Sequence, residues 1–141
     1  MADLPPGTGD ASLTLAQAIP LSGAVVVMTP QGVAVQIATK TLNTFRTLKV
    51  PILGIIENMS YLLCPHCEAP VELFGHGGGR KASERLEVPF LGEIPLDPEP
   101  CHGGDVGRPI LIEKPDSPVA SIFRQVASNL AGRISVEALA A

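Results

Sequence analysis

A chain of 141 residues and 14.7 kDa is sized for about one domain that buries roughly two thirds of its unfolded surface, and residues 1–141 are read as that single domain. Hydrophobic residues at 45% against 17% charged exclude a disordered chain, and the longest apolar runs, Ala24–Met28 and residues 52–56, are too short to cross a bilayer. A net charge of −4, ten scattered Lys and Arg, four Phe and one Tyr offer no basic patch for phosphates and few stacking platforms for bases, which argues against nucleic acid as a partner.

The N-terminus, Met1-Ala2-Asp3-Leu4-Pro5-Pro6, has neither a charged nor an apolar leader region, and three cysteines make no paired framework. The expectation is a soluble, cytoplasmic protein with free thiols and no membrane partner. Gly and Pro, fourteen each, then divide the chain. Residues 24–28, a β-branched run, predict a strand ending at Thr29-Pro30-Gln31, with Thr29 as helix cap and Pro30 in the first turn. Ala34, Ile37, Ala38, Leu42, Phe45 and Leu48 recur at helical spacing until Val50-Pro51 stops them. A second strand is predicted over residues 52–57, a short helix over about residues 80–86, and a third strand at Pro89-Phe90-Leu91-Gly92-Glu93-Ile94. Pro109-Ile110-Leu111-Ile112 reads as a fourth strand at an edge. Ser117-Pro118 repeats the cap-plus-proline start of a final helix with Ala120, Phe123, Val126, Ala127 and Leu130 on its buried face. Apolar strands alternating with amphipathic helices predict an α/β fold, three layers with a mostly parallel sheet and flanking helices. In such sheets ligands sit at the carboxyl ends of strands, so chemistry is expected after Met28, Glu57 and Ile94.

The sharpest local signal is Cys64-Pro65-His66-Cys67, two thiols spaced to grip one metal or one cluster edge. Spacing alone leaves four readings: a redox pair, which Pro70 and the extended Val71-Glu72-Leu73-Phe74 disfavour; a zinc knuckle completed by His76 with Cys101 or His102; two inert thiols; or a site shared with a second chain. Gly75-His76-Gly77-Gly78-Gly79-Arg80 reads either as an anion nest at a helix start or, more simply, as a flexible connection. Asn58 and Pro95-Leu96-Asp97 stand at strand ends where a cleft or ordinary turn chemistry explains them equally, and His66, His76 and His102 read as solvated loop residues. The Gly-x-x-x-x-Gly-Lys-Ser/Thr phosphate loop is missing, since Lys40-Thr41 lies mid-helix without the glycines.

Taken in order, Asp3-Leu4-Pro5-Pro6-Gly7-Thr8-Gly9-Asp10, Thr29-Pro30-Gln31, Glu57-Asn58-Met59-Ser60, Cys64-Pro65-His66-Cys67, Phe74-Gly75-His76-Gly77-Gly78-Gly79 and Gly92-Glu93-Ile94-Pro95-Leu96-Asp97-Pro98 resemble the Mrp/ApbC family of iron–sulfur cluster carrier ATPases, relatives of the MinD/ParA group of P-loop proteins. The likeness spans about residues 3–129 and resembles the C-terminal half of such a carrier, a partial SIMIBI-type P-loop fold whose cysteine region covers residues 57–79. It implies a homodimer in which Cys64 and Cys67 of each subunit bridge one 4Fe-4S cluster destined for apo iron–sulfur proteins. It also implies ATP and magnesium, with Asp3 near the metal, Gly7 near the γ-phosphate, and Asn58, Pro95 and Asp97 lining the adenine pocket. Without the phosphate-loop lysine, this chain alone is expected neither to bind ATP tightly nor to hydrolyse it. No catalytic residue is assigned. A missing first strand is expected to leave an open sheet edge, and the alternative function is a silent interaction module holding zinc or no metal.

Overall fold

The computed structural model describes residues 1–4, 9–64, 66–67 and 69–140. In chain order it runs α1 (Asp10–Ala18), β1 (Ala24–Met28), α2 (Gly32–Thr47), β2 (Ile52–Leu63), β3 (Pro70–Val71), α3 (Gly78–Leu86), β4 (Phe90–Leu96), α4 (Pro98–Asp105), α5 (Ile110–Glu113) and α6 (Pro118–Ala140). β2 is central: β1 runs parallel along one side, from Ala24 opposite Ile52 to Met28 opposite Glu57. β4 runs parallel along the other side, from Ile55 opposite Phe90 to Asn58 opposite Ile94. The two-residue β3 folds back antiparallel on the far end of β2.

Strand side chains alternate between two cores because successive Cβ atoms point to opposite faces. On one face Val26, Met28 and Ile55 pack with Ala38 and Leu42 of α2 and Ala82 of α3. On the other, Ile56, Leu91 and Ile94 pack with Val126 of α6, flanked by Val25, Ile122, Phe123 and Leu130. The result is the expected three-layer arrangement, helices on both faces of a sheet whose paired strands other than β3 are parallel. Buried Ala38, Leu42 and Phe45 form the stripe that the spacing of α2 predicted. Asn129 of α6 donates to the Leu91 carbonyl at 2.8 Å, tying that helix to β4. β1 has β2 as its one partner strand among the described residues, and Val27 on it is 59% exposed, so this edge is open.

Several expectations need correction. α2 begins at Gly32 with Gln31 in the cap position, while Thr29 donates its hydroxyl proton to Gln31 Oε1 at 3.2 Å. The backbone of Pro30 lies against Gly78 instead. Pro109-Ile110-Leu111-Ile112 is not a strand: Ile110–Glu113 forms the single turn α5, closed by bonds from Ile112 and Glu113 N–H to the Pro109 carbonyl. Only Ile110 of its three apolar residues is buried, and Ile112 is 78% exposed, so the run has one core contact and no ladder to join. β2 continues six residues past the predicted end at Glu57, and helices α1 and α4 were not anticipated. At the start of α6, Ser117 Oγ accepts from Ala120 N–H at 3.1 Å, the cap that Ser117-Pro118 announced.

Candidate functional site

The extra length of β2 makes an arm. Met59 takes a left-handed backbone conformation, φ 54°, and the β2–β4 register breaks between Asn58 and Leu62. Beyond that bulge the strand keeps one pair with β4, Leu62 opposite Leu96, and pairs on its other side with β3, Leu62 opposite Val71 and Leu63 opposite Pro70. The cysteines sit in the turn at the end of this arm, closed by the Cys64 N–H bonding to the Ala69 carbonyl at 3.0 Å. Cys64 is half-buried and Cys67 exposed. The backbone N–H of His66, then that of Cys67 and the Cys67 thiol, direct protons at the Cys64 sulfur and hold its pKa below the ordinary thiol value. In the metal-free chain, alkylation of Cys64 by iodoacetamide is therefore expected to reach half its plateau at a lower pH than for a cysteine in an unfolded peptide. Coincident pH–rate profiles would contradict this.

The amides that favour the thiolate belong to a turn, not to a helix N-terminus, so the redox-pair geometry is not formed. Nor is the single-chain zinc knuckle: among the described residues no group of three His, Cys, Asp or Glu is placed to hold a metal. His76 is engaged elsewhere, and Cys101 and His102 lie on α4.

The residue that sequence reasoning passed over is Glu57. Its side chain is fully buried, 0% exposed, at the end of the apolar first half of β2. Burying a carboxylate is costly unless donors surround it, and three do. Ser60 Oγ donates to Oε1 at 2.5 Å, Gly77 N–H donates to Oε1 at 3.1 Å, and Gly79 N–H donates to Oε2. The two amides are those of the α3 N-cap, Gly77, and of Gly79 in its first turn, where the helix dipole favours negative charge. Gly75-His76-Gly77-Gly78-Gly79 is thus an anion nest after all, and its anion is the chain's own carboxylate. The signal was present: a lone acid closing an apolar strand, and a glycine run at a helix start with no lysine to mark a phosphate.

The glycines are needed for contact. Gly77 lies at φ 72°, and a Cβ on Gly78 would stand 2.3 Å from the Pro30 carbonyl oxygen, a backbone atom that cannot swing away. Gly78→Ala is expected to cost about 1–3 kcal/mol through this overlap, read as a lowered urea midpoint at unchanged m-value.

His76, exposed in the loop as expected, is nonetheless bonded. Its Nδ1 lies 3.2 Å from Ser60 Oγ, and its ring stands edge-on to Tyr61 with centroids 6.4 Å apart. Its Nε2 lies 3.9 Å from Glu93 Oε2. Arg80 joins the same carboxylate at 3.1 Å and stacks its guanidinium over Phe90 at 4.5 Å.

The nucleotide candidates are brought only partly together. Asn58 stands midway along β2, at the last β2–β4 pair before the bulge, and Pro95 near the carboxyl end of β4; Asn58 is half-buried with its Oδ1 accepting from Met59 N–H at 3.0 Å. Asp97 is the N-cap of α4, its Oδ1 accepting from Glu99 N–H at 2.8 Å, which is the turn chemistry that explained it equally well. Asp3 is exposed in the N-terminal segment, and Gly7 lies outside the described residues. With Glu57 filling the glycine nest, that nest does not fit nucleotide phosphates. A cavity of about 480 Å³ opens at the opposite end of the sheet, where Arg46 already donates to the Leu86 carbonyl and Arg133 to Glu137. No helix among the described residues is long and apolar enough to cross a membrane.

Comparison with known proteins agrees with this architecture. Over 134 residues the chain is 41% identical to the iron-sulfur cluster transfer protein NUBPL of Dictyostelium discoideum, covering 95% of this chain and 42% of that protein. It is 47% identical over 138 residues to the iron-sulfur cluster carrier protein of Synechocystis sp., covering 97% and 39% respectively. The chain thus spans about two fifths of the length of these relatives. Among solved structures, a nucleotide-binding protein in complex with ADP from Archaeoglobus fulgidus superposes with a TM-score of 0.68 at 37% identity, covering 81% of this chain and 46% of that one. The model of the ParA family described as NUBPL iron-transfer P-loop NTPase matches residues 1–131, and the chain belongs to that family.

Proposed function

We propose that this chain binds an iron–sulfur cluster through Cys64 and Cys67 and passes it to apoproteins. The observation that carries the reading is the convergence of the two sulfurs at the exposed tip of the β2–β3 arm, with amide protons aimed at Cys64. Relatives of this chain are named iron-sulfur cluster carrier or transfer proteins. Iron is bound by thiolate, and a thiol whose proton is already loosened gives it up to the metal at neutral pH. Two thiolates are half of the four that a 4Fe-4S cluster takes, so a second copy of the chain supplies the other pair in a homodimer. Transfer is ligand exchange: a thiolate of the acceptor bonds to iron, a Cys64 or Cys67 sulfur leaves and takes up a proton, and no electron is gained or lost. The open position of the arm lets an acceptor approach.

Adenine recognition at Asn58, Pro95 and Asp97, magnesium near Asp3 and γ-phosphate near Gly7 are part of the same proposal. Here Asn58 and Pro95 offer an edge on neighbouring strands, while no group of this chain is assigned a hydrolytic step. The test is anaerobic reconstitution with iron and sulfide, followed by absorbance and by iron and acid-labile sulfide content. A brown protein with about four irons per two chains supports the reading. A colourless protein that takes up zinc or stays metal-free overturns it in favour of a silent module.

A further inference from the structure

We propose that His76 is a positioning residue that clasps the cysteine-bearing arm of β2 to the sheet body, acting as an Nδ1–H donor to Ser60. The proton count fixes the direction of this bond. Ser60 has one hydroxyl proton, and its shortest contact, 2.5 Å, is to Glu57 Oε1. Glu57 accepts from all its other partners, the amides of Gly77 and Gly79, so the Ser60 proton belongs to it. Towards His76 the Ser60 oxygen then presents only lone pairs, and the 3.2 Å contact requires the proton on Nδ1. Nε2 lies 3.9 Å from Glu93, with Arg80 on the other oxygen of that carboxylate.

One imidazole thereby joins two elements: it meets the arm at Ser60 and Tyr61, and it is anchored through its own backbone in the glycine loop that enters α3, whose Gly77 and Gly79 amides are bonded to Glu57. The arm needs such support. Past the bulge at Met59, its ladder pairs are Leu62 with Leu96 and the two short pairs with β3, and two-residue ladders are marginal by themselves. The direction of the arm past the bulge sets where the Cys64 and Cys67 sulfurs point. For its consequence on cargo the inference rests on the reading of those thiols as cluster ligands, whereas the clasp itself is tested without metal.

The experiment measures amide hydrogen exchange at Leu62, Leu63 and Cys64 in the metal-free chain, with wild type beside H76A, H76N and H76Q. Asparagine places its amide N–H₂ near the position of Nδ1 and glutamine near that of Nε2, so the pair separates the two ring nitrogens. Exchange at these amides is expected to rise about five- to tenfold in H76A and H76Q, the effect of one lost hydrogen bond, with α2 and α6 unaffected and H76N close to wild type. Nitrogen-15 spectra are expected to show the N–H signature at Nδ1. Equal exchange in all four proteins, or a ring with no proton on Nδ1, overturns the clasp. With cluster loaded, loss to a chelator is expected to follow the same order, fast in H76A and H76Q and slow in H76N, and equal rates overturn the link to cargo. A chain that accepts no cluster refutes the cluster reading alone, since the exchange rates still decide the clasp.

Discussion

Glu57→Ala is expected to remove about 3–5 kcal/mol of folding stability, enough to unfold a domain at the lower end of the ordinary 5–15 kcal/mol range. The substitution deletes a fully buried carboxylate and leaves two amides, Gly77 and Gly79 N–H, together with the Ser60 hydroxyl, without their acceptor. Each orphaned buried donor costs roughly 1–3 kcal/mol. The α3 N-terminus also loses the negative charge that its dipole favours. Glu57→Gln keeps the volume but turns one acceptor oxygen into a donor facing an N–H, and is expected to lose at least about 1–3 kcal/mol. Urea denaturation of both variants checks this. A loss below about 1 kcal/mol in Glu57→Ala would show that water takes over the donors and that the nest does not depend on its anion.

The second large effect concerns cargo. Cys64→Ser and Cys67→Ser are each expected to reduce retained iron from about four per two chains to near zero, because a serine hydroxyl keeps its proton at neutral pH and each change removes two of four ligands from a symmetric pair. Cys101→Ser is expected to leave iron content unchanged, since Cys101 lies on α4 and not in the turn that carries Cys64 and Cys67. All three variants are expected to fold, as Cys67 and Cys101 are exposed and Cys64 only half-buried. Equal loss in Cys101→Ser, or full iron in either arm variant, would contradict the assignment of ligands.

What could be read from the sequence was what is encoded locally. The β-branched run at β1, the helical spacing of Ala38, Leu42 and Phe45, and the Ser117 cap each involve residues within a few positions, and each took the expected form. The Cys64/Cys67 pair is local in the same way. Pro109-Ile110-Leu111-Ile112 was misread because a four-residue apolar run has no period, and only tertiary contact decides between strand and helix. Helix α4, with two prolines and two glycines, has the composition of a loop, and its helicity depends on Asp97 capping Glu99 and Pro98 opening the first turn. Glu57 was passed over because its amide donors come 20 and 22 residues later. Spacing in the chain cannot show that a glycine loop returns to the end of a strand; the fold has to bring them together.

Native mass spectrometry of the anaerobically reconstituted chain shows whether a cluster is held between two copies by the arm cysteines. The expected species is two chains carrying one cluster of about four iron and four sulfide, which reverts to the mass of the metal-free protein when a chelator strips the cluster. A cluster or zinc ion carried by one chain alone, or a protein that binds no metal after reconstitution, would contradict a cluster shared between two copies.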